Sequence, residues 1–180
     1  MIAATVRIVA REGVAAVTHR RVAAEAGVAL SSTTWHFSTK AEILEAALRW
    51  TASHEVEGIA AIAVRLGDSD FDPAAWAEQL GDWLVEQVTS EREIAVALYR
   101  LQVELLGSAG ARQVHHEWGE GLRAVGERVL ESSPTTTPEL DIRLVVAALD
   151  GLRMAVISSG EEDVEWLRGA VRRQLRALLG

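Results

Sequence analysis

Short hydroxyl side chains form an uninterrupted run from Ser31 to Thr34, and Trp35, His36 and Lys40 follow closely. Hydroxyls of this size can reach phosphate oxygens or base edges without a steric clash. Lys40 adds a full positive charge and is the only lysine of the chain, against 17 arginines. This combination indicates contact with a nucleic acid, although Lys40 is equally compatible with an ordinary solvated surface charge.

The residues around this run have the pattern of two short helices joined by a sharp turn. Gly27 fits the turn because glycine adopts positive φ at little steric cost, and Thr18 is suited to cap the first helix. Val22 and Ala23 supply apolar and small side chains for the contact between the two helices. The spacing predicts a helix-turn-helix over residues 13–44, whose second helix would lie in a DNA major groove. An ordinary helical hairpin shows the same alanine and glycine pattern.

A further helix is predicted to begin directly after the triplet Trp35-His36-Phe37. Thr39 and Glu42 have the spacing of a capping box, and the free N–H groups and positive dipole end of such a helix suit a phosphate. The indole N–H of Trp35 can donate to a phosphate, or the ring can pack on the first helix. His36 can read a base or pack within the domain.

The first 50 residues resemble the DNA-binding domain of TetR/AcrR-type transcriptional regulators. That family has an alanine-rich first helix, then G-V-x-x-x-T, V-A-x-x-A-G-V, an aromatic-His-Phe triplet, and a lysine and leucine beyond it. The matching residues stand in order at Gly13-Val14, Thr18, Val22-Ala23, Ala26-Gly27-Val28, Trp35-His36-Phe37, Lys40 and Leu44. Where the family often has an aliphatic residue and a tyrosine, this chain has Thr33 and Thr34, so Trp35 becomes the candidate for the aromatic role.

The resemblance implies an all-α protein with two domains. A three-helix helix-turn-helix domain is expected in residues 1–46, and a helical ligand-sensing and dimerisation domain in residues 47–180. The expected contacts to double-stranded operator DNA are Thr18, Arg20, Arg21, Leu30, Ser31, Ser32, Thr33, Thr34, Trp35, His36 and Lys40. Regulators of this kind commonly carry a basic stretch before the first helix, so a late start or a shortened chain is expected at Met1.

Charge is distributed unevenly along the chain. Residues 1–50 hold six basic and four acidic side chains, a net +2, whereas residues 51–180 hold 12 and 22, a net −10. Because duplex DNA is bound by neutralising phosphates, the weakly basic first part predicts an affinity that depends on dimerisation and on salt. The chain has no cysteine, no signal-peptide pattern and no uncharged apolar run of membrane-spanning length, which predicts a soluble cytoplasmic protein.

The remaining sequence has helical spacing without sustained strand alternation. A looser stretch over residues 57–72 is expected to contain one short helix and the loop 67–70. Residues 132–138 are expected to form a linker, with Pro138 restarting a helix. Ser90 and Glu93 have the spacing of a second capping box. Helices are predicted from Lys40 to the mid-50s, from Asp72-Pro73 to Val88, and over Ile94–Leu106, Ala111–Leu130, Leu140–Ser158 and Glu161–Leu179.

Tryptophan is unusually frequent, with six among nine aromatic residues. Trp76 and Trp83 lie seven residues apart and therefore on one helical face. Apolar walls with a few polar groups are typical of small-molecule sites. The predicted pocket for an unknown effector comprises Trp76, Leu80, Trp83, Tyr99, Gln102, His115 and Trp118. Core or interface packing is the alternative for each tryptophan, and Glu104 is either a pocket group or a surface residue.

The last two long helices have apolar faces wider than one core needs, which is typical of a partner surface. The family resemblance implies a homodimer through a four-helix bundle made by these helices, with a two-fold axis that matches a palindromic operator. The predicted interface comprises Leu144, Ala148, Leu152, Val156, Trp166 and Leu175. The alternative is that all of them belong to the core of one protomer.

Catalytic and metal sites find little support in the sequence. His115-His116-Glu117 and Glu120 offer too few ligands in suitable directions for a metal site, and the chain has neither a nucleophile elbow nor a glycine-rich phosphate loop. We expect no catalytic residue, metal or cofactor. An enzyme would need perturbed ionisable groups clustered in a cleft.

The sequence therefore predicts a homodimeric repressor that a small-molecule ligand releases from its operator by a population shift. The alternative is a helical small-molecule-binding protein whose DNA-binding head is weak or vestigial.

Overall fold

The structure is a computed structural model that describes residues 1–67, 71–133 and 135–179. Every regular element in these residues is helical, which confirms the all-α class. The helices are α1 Ile2–Glu12, α2 His19–Ala26, α3 Leu30–His36, α4 Lys40–Leu66, α5 Pro73–Val88, α6 Arg92–Glu104, α7 Ala109–Leu130, α8 Pro138–Ser159 and α9 Trp166–Leu179. Within the described residues, no helix has the length and apolar character that a membrane span requires.

Two helix starts predicted from proline are confirmed. The Asp72 carboxylate accepts the Ala74 N–H at 2.8 Å, and Pro73 is the first residue of α5. Pro138 is likewise the first residue of α8. Of the other predicted connections, residues 68–70 and Pro134 lie outside the described residues.

Helix α4 is longer than predicted. It continues without a break through residues 57–66, where a separate short helix was expected, and ends at Gly67 with φ +71°. The extension contains no proline, and its alanines favour helix. Gly58 interrupts this series of helix-favouring residues for a packing reason, since a Cβ there would lie 2.5 Å from the Trp83 indole nitrogen.

The predicted capping box from Ser90 to Glu93 is wrong. The Ser90 hydroxyl donates to the Glu86 carbonyl at 3.4 Å, and the Glu93 carboxylate accepts from Arg11 Nε at 2.7 Å. Neither side chain therefore caps α6.

The last helix also starts later than predicted, at Trp166 instead of Glu161. Asp163 accepts the Glu165 N–H at 3.3 Å in a local turn that precedes the helix.

The chain forms two compact units, each with its own core. The first unit contains residues 1–54 and 93–118, so it comprises α1 to α3, the first half of α4, and parts of α6 and α7. Its fully buried side chains include Val9, Val17, Val22 and Leu48. Compactness does not test the functional division at residue 46, which stays a prediction.

The second unit contains residues 55–92 and 119–179. Helix α5 packs along α9, and the core includes Ile62, Leu84, Val156 and Leu167. Helices α7 and α8 approach closely at Gly126, where a Cβ would lie 2.6 Å from an Ile142 side-chain carbon.

A buried polar network lies inside the second unit and joins α4, α5 and α8. Arg153 is only 2% exposed. Its guanidinium lies 2.5 Å from a Glu55 carboxylate oxygen and 2.9 Å from an Asp150 oxygen, and it donates to the Gln87 amide oxygen at 3.4 Å. The Gln87 amide nitrogen in turn donates to Glu91 at 2.5 Å. Charges removed from water in this way are tolerated because they are paired and hydrogen-bonded.

Candidate nucleic-acid interface and apolar cavity

Local capping signals build α2 and the turn that follows it. The Thr18 hydroxyl accepts the Arg21 backbone N–H at 3.1 Å. Gly27 has φ +66°, in the left-handed region that glycine adopts without strain, and the Val28 N–H reaches back to the Ala23 carbonyl at 3.0 Å. The helix-turn-helix geometry expected from the sequence is therefore present, with α3 as its second helix.

His19 fixes the end of α3 against α2. Its Nε2 donates to the Phe37 carbonyl at 2.9 Å, because a carbonyl can only accept. The Thr33 hydroxyl also lies 3.4 Å from the His19 carbonyl. The role of His19 could not be predicted from the sequence, because its partner lies 18 residues away and no local spacing marks the contact.

The residues predicted to contact DNA divide by exposure into three groups. Thr33 is fully buried, whereas Arg21, Ser32 and Lys40 are half-buried. The exposed members are Thr18, Arg20, Leu30, Ser31, Thr34, Trp35 and His36. Most of the predicted surface is therefore open to solvent.

Thr33 corrects the prediction that four successive hydroxyls face DNA. Its hydroxyl donates to the Leu30 carbonyl at 2.8 Å, and its side chain is buried beside α2. Position 33 lies about 200° around the helix from both Ser31 and Trp35. Because those two face solvent, Thr33 faces the interior and cannot reach DNA. The exposed Thr34 hydroxyl donates within α3, to the Ser31 carbonyl at 3.1 Å.

Trp35 is 81% exposed, so the alternative in which it packs on the first helix is wrong. Its ring stands edge-on to the His36 imidazole, with 4.6 Å between the ring centroids. Val28 and Leu30 are also exposed. Together these side chains give α3 and the turn before it an apolar solvent-facing edge, which suits thymine methyl groups and deoxyribose.

The positively charged side chains of this surface differ in how accessible they are to a phosphate. Arg21 lies 2.6 Å from Glu12 and 3.5 Å from Glu25, and the hydrogen bond to Glu12 raises the pKa of its guanidinium. Arg7 holds Glu25 at 3.0 Å and lowers the pKa of that carboxyl by hydrogen bonding. Arg20 is exposed and makes no ion pair with any described residue. Arg20 is therefore the cation most open to a phosphate.

The start of α4 differs in part from the phosphate-binding helix end that the sequence predicts. Thr39 accepts the Glu42 N–H at 3.2 Å, as the capping box requires, but the Glu42 carboxylate accepts from Ser38 N–H at 2.7 Å, one residue earlier than expected. The helix end thus carries its own anion. Lys40 donates to the Ala15 carbonyl at 3.4 Å, a long bond that a phosphate could replace.

An apolar cavity of about 70 Å³ lies within the second unit and is partly open to solvent. Helices α4, α5, α7, α8 and α9 all contribute to its walls. The lining residues are Ile59, Phe71, Trp76, Leu80, Leu122, Val125, Gly126, Val129, Leu130, Ile142, Val145, Val146, Leu149, Leu175 and Leu179. Phe71, Trp76 and Val129 also line a surface groove that adds Arg128, Glu131 and Ser132.

Only two members of the predicted effector pocket, Trp76 and Leu80, line this cavity. Trp83, further along α5, is also buried, but it packs against Gly58 of α4. The other predicted members belong to the first unit: Tyr99 is buried, Gln102 and Trp118 are half-buried, and His115 is exposed. Glu104 is an exposed surface residue. Helical spacing placed Trp76 and Leu80 on one face of α5 but could not tell which other helices meet it.

The predicted dimer contacts also divide by exposure. Leu144 and Trp166 are exposed, and Ala148 and Leu152 are half-buried. Val156 and Leu175 are buried inside the protomer, which corrects their assignment to a partner surface. An exposed stripe along α8 spaces its members by four and three residues: Leu140, Leu144, Ala147, Gly151 and Met154. Of these, the predicted interface included Leu144 but neither Leu140 nor Met154.

Metal binding has no support in the described part of the chain. Across residues 1–67, 71–133 and 135–179, no three histidine, aspartate or glutamate side chains come close enough to hold an ion. His115 instead lies beside Trp118, with 5.7 Å between ring centroids.

Family models match both parts of the chain. Residues 1–47 match the bacterial regulatory proteins of the tetR family, and residues 71–180 match the tetracyclin repressor-like C-terminal domain. A comparison with curated proteins gave no match.

Several solved structures resemble the chain over nearly its whole length. The multidrug binding protein EbrR complexed with ethidium shares 32% identity over 96% of this chain and 95% of that one, with a TM-score of 0.68. A TetR-family member from Streptomyces coelicolor A3 shares 30% over 96% and 94%, with a TM-score of 0.73. A transcriptional regulator from Rhodococcus sp. Rha1 shares 25% over 98% and 92%, with a TM-score of 0.83. With both family models and these structures in agreement, the chain belongs to the TetR family of transcriptional regulators.

Proposed function

We propose that this protein is a homodimeric repressor that binds a palindromic operator through α3 and leaves it when a small molecule occupies the apolar cavity. The observation that carries the proposal is the solvent-facing side of α3, where Ser31, Thr34 and Trp35 lie together and Arg20 of α2 supplies a free cation. Phosphate contacts by cations position such a helix, and short polar and apolar groups read base edges.

Dimerisation is supported by the exposed stripe on α8. Leu140, Leu144 and Met154 present apolar side chains to solvent, and Ala147 and Gly151 between them allow a second helix to approach closely. A stripe with four- and three-residue spacing fits knobs-into-holes packing against a copy of itself. Two heads on a two-fold axis would meet successive major grooves.

Release from DNA follows from a difference in ligand affinity between two states. A ligand that prefers the cavity shape of a non-binding state shifts the population toward that state without touching DNA. This is regulation by binding alone, and the proposal assigns no catalytic residue and no cofactor.

The second candidate is a small-molecule-binding protein with a weak DNA head. It is favoured by the charge of the head, since Arg7 and Arg21 are paired with acids and the net charge of residues 1–50 is only +2. The two candidates differ in whether specific DNA binding survives at physiological salt.

The deciding experiment measures fluorescence anisotropy of duplexes from the protein's own promoter region, beginning at low salt. We expect specific binding by a dimer. Arg20→Ala should weaken binding to all duplexes alike and lower the slope of log K against log salt by about 1 for each head. Arg112→Ala is the matched control, since this exposed arginine lies on α7, far in sequence from the helix-turn-helix. A monomer that binds none of these duplexes at low salt would overturn the proposal.

A further inference from the structure

We infer that the effector is an uncharged, largely apolar molecule, and that this cavity selects against organic cations such as the ethidium bound by EbrR. The inference rests on the proposed function only in calling the ligand an effector, because the cavity's selectivity is a property of its walls.

Among the described residues, the walls contain no ionisable side chain. Of the fifteen lining residues, Trp76 alone carries a side-chain polar atom, its indole N–H, and the others are aliphatic, phenylalanine or glycine. Five helices supply this surface, so the apolar character is not confined to one face. A cation that entered would lose its hydration without meeting a carboxylate.

Buried charges elsewhere in the second unit are already engaged. Asp141 accepts hydrogen bonds from the hydroxyls of Thr135 and Thr137 at the start of α8. Arg153 is held by Glu55 and Asp150. Neither Asp141 nor Arg153 lines the cavity, so neither offers a counter-charge to a bound ligand.

Among the described residues, the mouth of the cavity is polar and balanced in charge. The groove that shares Phe71, Trp76 and Val129 with the cavity carries one basic and one acidic side chain, Arg128 and Glu131, among its described residues. A ligand could therefore place a neutral polar end at the mouth, while its apolar body fills the interior.

These features decide between ligand classes by desolvation. Burying apolar ligand surface is favourable in proportion to its area, whereas a charged group left unpaired in such surroundings loses its hydration. For ligands of similar size, we expect the neutral one to bind at least about tenfold more tightly than the charged one.

The test titrates the full-length protein, without DNA, with three fluorescent probes. N-phenylnaphthylamine is neutral, anilinonaphthalene sulfonate is its sulfonated counterpart, and ethidium is a cation. The neutral probe should bind at least about tenfold more tightly than either charged probe. Equal or tighter binding of ethidium, or no binding of the neutral probe, would overturn the inference.

Two variants test whether the probes bind in this cavity. Val146→Trp on α8 should fill the space and weaken the neutral probe by at least about tenfold, whereas Val103→Trp, at an exposed position of α6 in the first unit, should leave it unchanged. Val129→Asp at the mouth should strengthen ethidium and weaken the neutral probe, and it remains informative if the tryptophan variant does not fold. Unchanged probe affinities in a folded Val146→Trp or Val129→Asp protein would contradict the assignment.

The ligand class and the proposed repressor function can be refuted independently of each other. Ethidium-selective binding would leave operator binding and ligand release intact but assign a different ligand class. Loss of operator binding would refute the repressor while leaving the cavity's preference for neutral ligands measurable.

Discussion

Removing the Arg153 guanidinium should destabilise the second unit far more than removing any exposed arginine. The side chain is fully buried, and its nearest charged partner, Glu55, is also buried, 2.5 Å away. In Arg153→Met the methionine fills much of the space, but the Glu55 carboxylate then faces an apolar neighbour. Loss of one partner of a buried pair costs about 3–5 kcal/mol, a large part of the stability of an ordinary domain.

The same reasoning predicts strong non-additivity. Glu55→Leu alone leaves the guanidinium with Asp150 and Gln87, so its cost should be smaller, about 2–4 kcal/mol. The double variant removes both charges together and should cost less than about 2 kcal/mol, because replacing a buried pair by apolar side chains is often nearly neutral. The coupling energy between positions 55 and 153 should therefore exceed about 2 kcal/mol.

Urea unfolding followed by circular dichroism at one protomer concentration measures these differences, since the stability of a dimer depends on concentration. Arg143→Met is the control, because Arg143 is also an α8 arginine paired with a glutamate, Glu139, at 2.9 Å, but both side chains are exposed. Its cost should be below about 1 kcal/mol. The reasoning is refuted if Arg153→Met costs no more than this control, or if the two single costs simply add in the double variant.

Two further substitutions test packing. Met154→Glu on the exposed α8 stripe should convert the proposed dimer into a monomer in light scattering, while Val103→Glu at an exposed position of α6 should not; a dimeric Met154→Glu protein would exclude this face. Gly58→Ala should lower the free energy of unfolding by about 1–3 kcal/mol, since the new Cβ meets the Trp83 ring at 2.5 Å. Gly119→Ala, where nothing lies within 4 Å, should instead raise it by up to about 1 kcal/mol, and equal effects would contradict the packing argument.

The parts of the structure that sequence predicted well depend on neighbours close in the chain. The Thr18 cap, the Gly27 turn and the Asp72-Pro73 helix start each involve groups within a few residues. Backbone geometry alone brings such groups together, so spacing is sufficient evidence for them. The same holds for the Thr39 cap of α4.

The cavity and the interface depend on which helical faces meet, and spacing within one helix does not report this. Trp76 and Trp83 share a face of α5, yet only Trp76 lines the cavity. Val156 and Leu175 are apolar and regularly spaced, but the contact of α5 with α9 buries Leu175 inside the protomer. Thr33 shows the same limit on a smaller scale, because its burial depends on the contact of α3 with α2.

Under the proposed function, the electrostatic contribution of each DNA-binding head must be small. Arg7 and Arg21 are paired with acids, which leaves Arg20 and Lys40 as the main cations for phosphates. If each head neutralises about two phosphates, a dimer neutralises about four, and log K should fall with log salt with a slope of about −4. For a single head, log K would fall with log salt with only half that slope. One head alone would therefore bind non-specific DNA only weakly, so occupancy of an operator requires both heads. Much of the affinity for the right sequence must then come from the exposed edge of α3, where Trp35 is the largest side chain available.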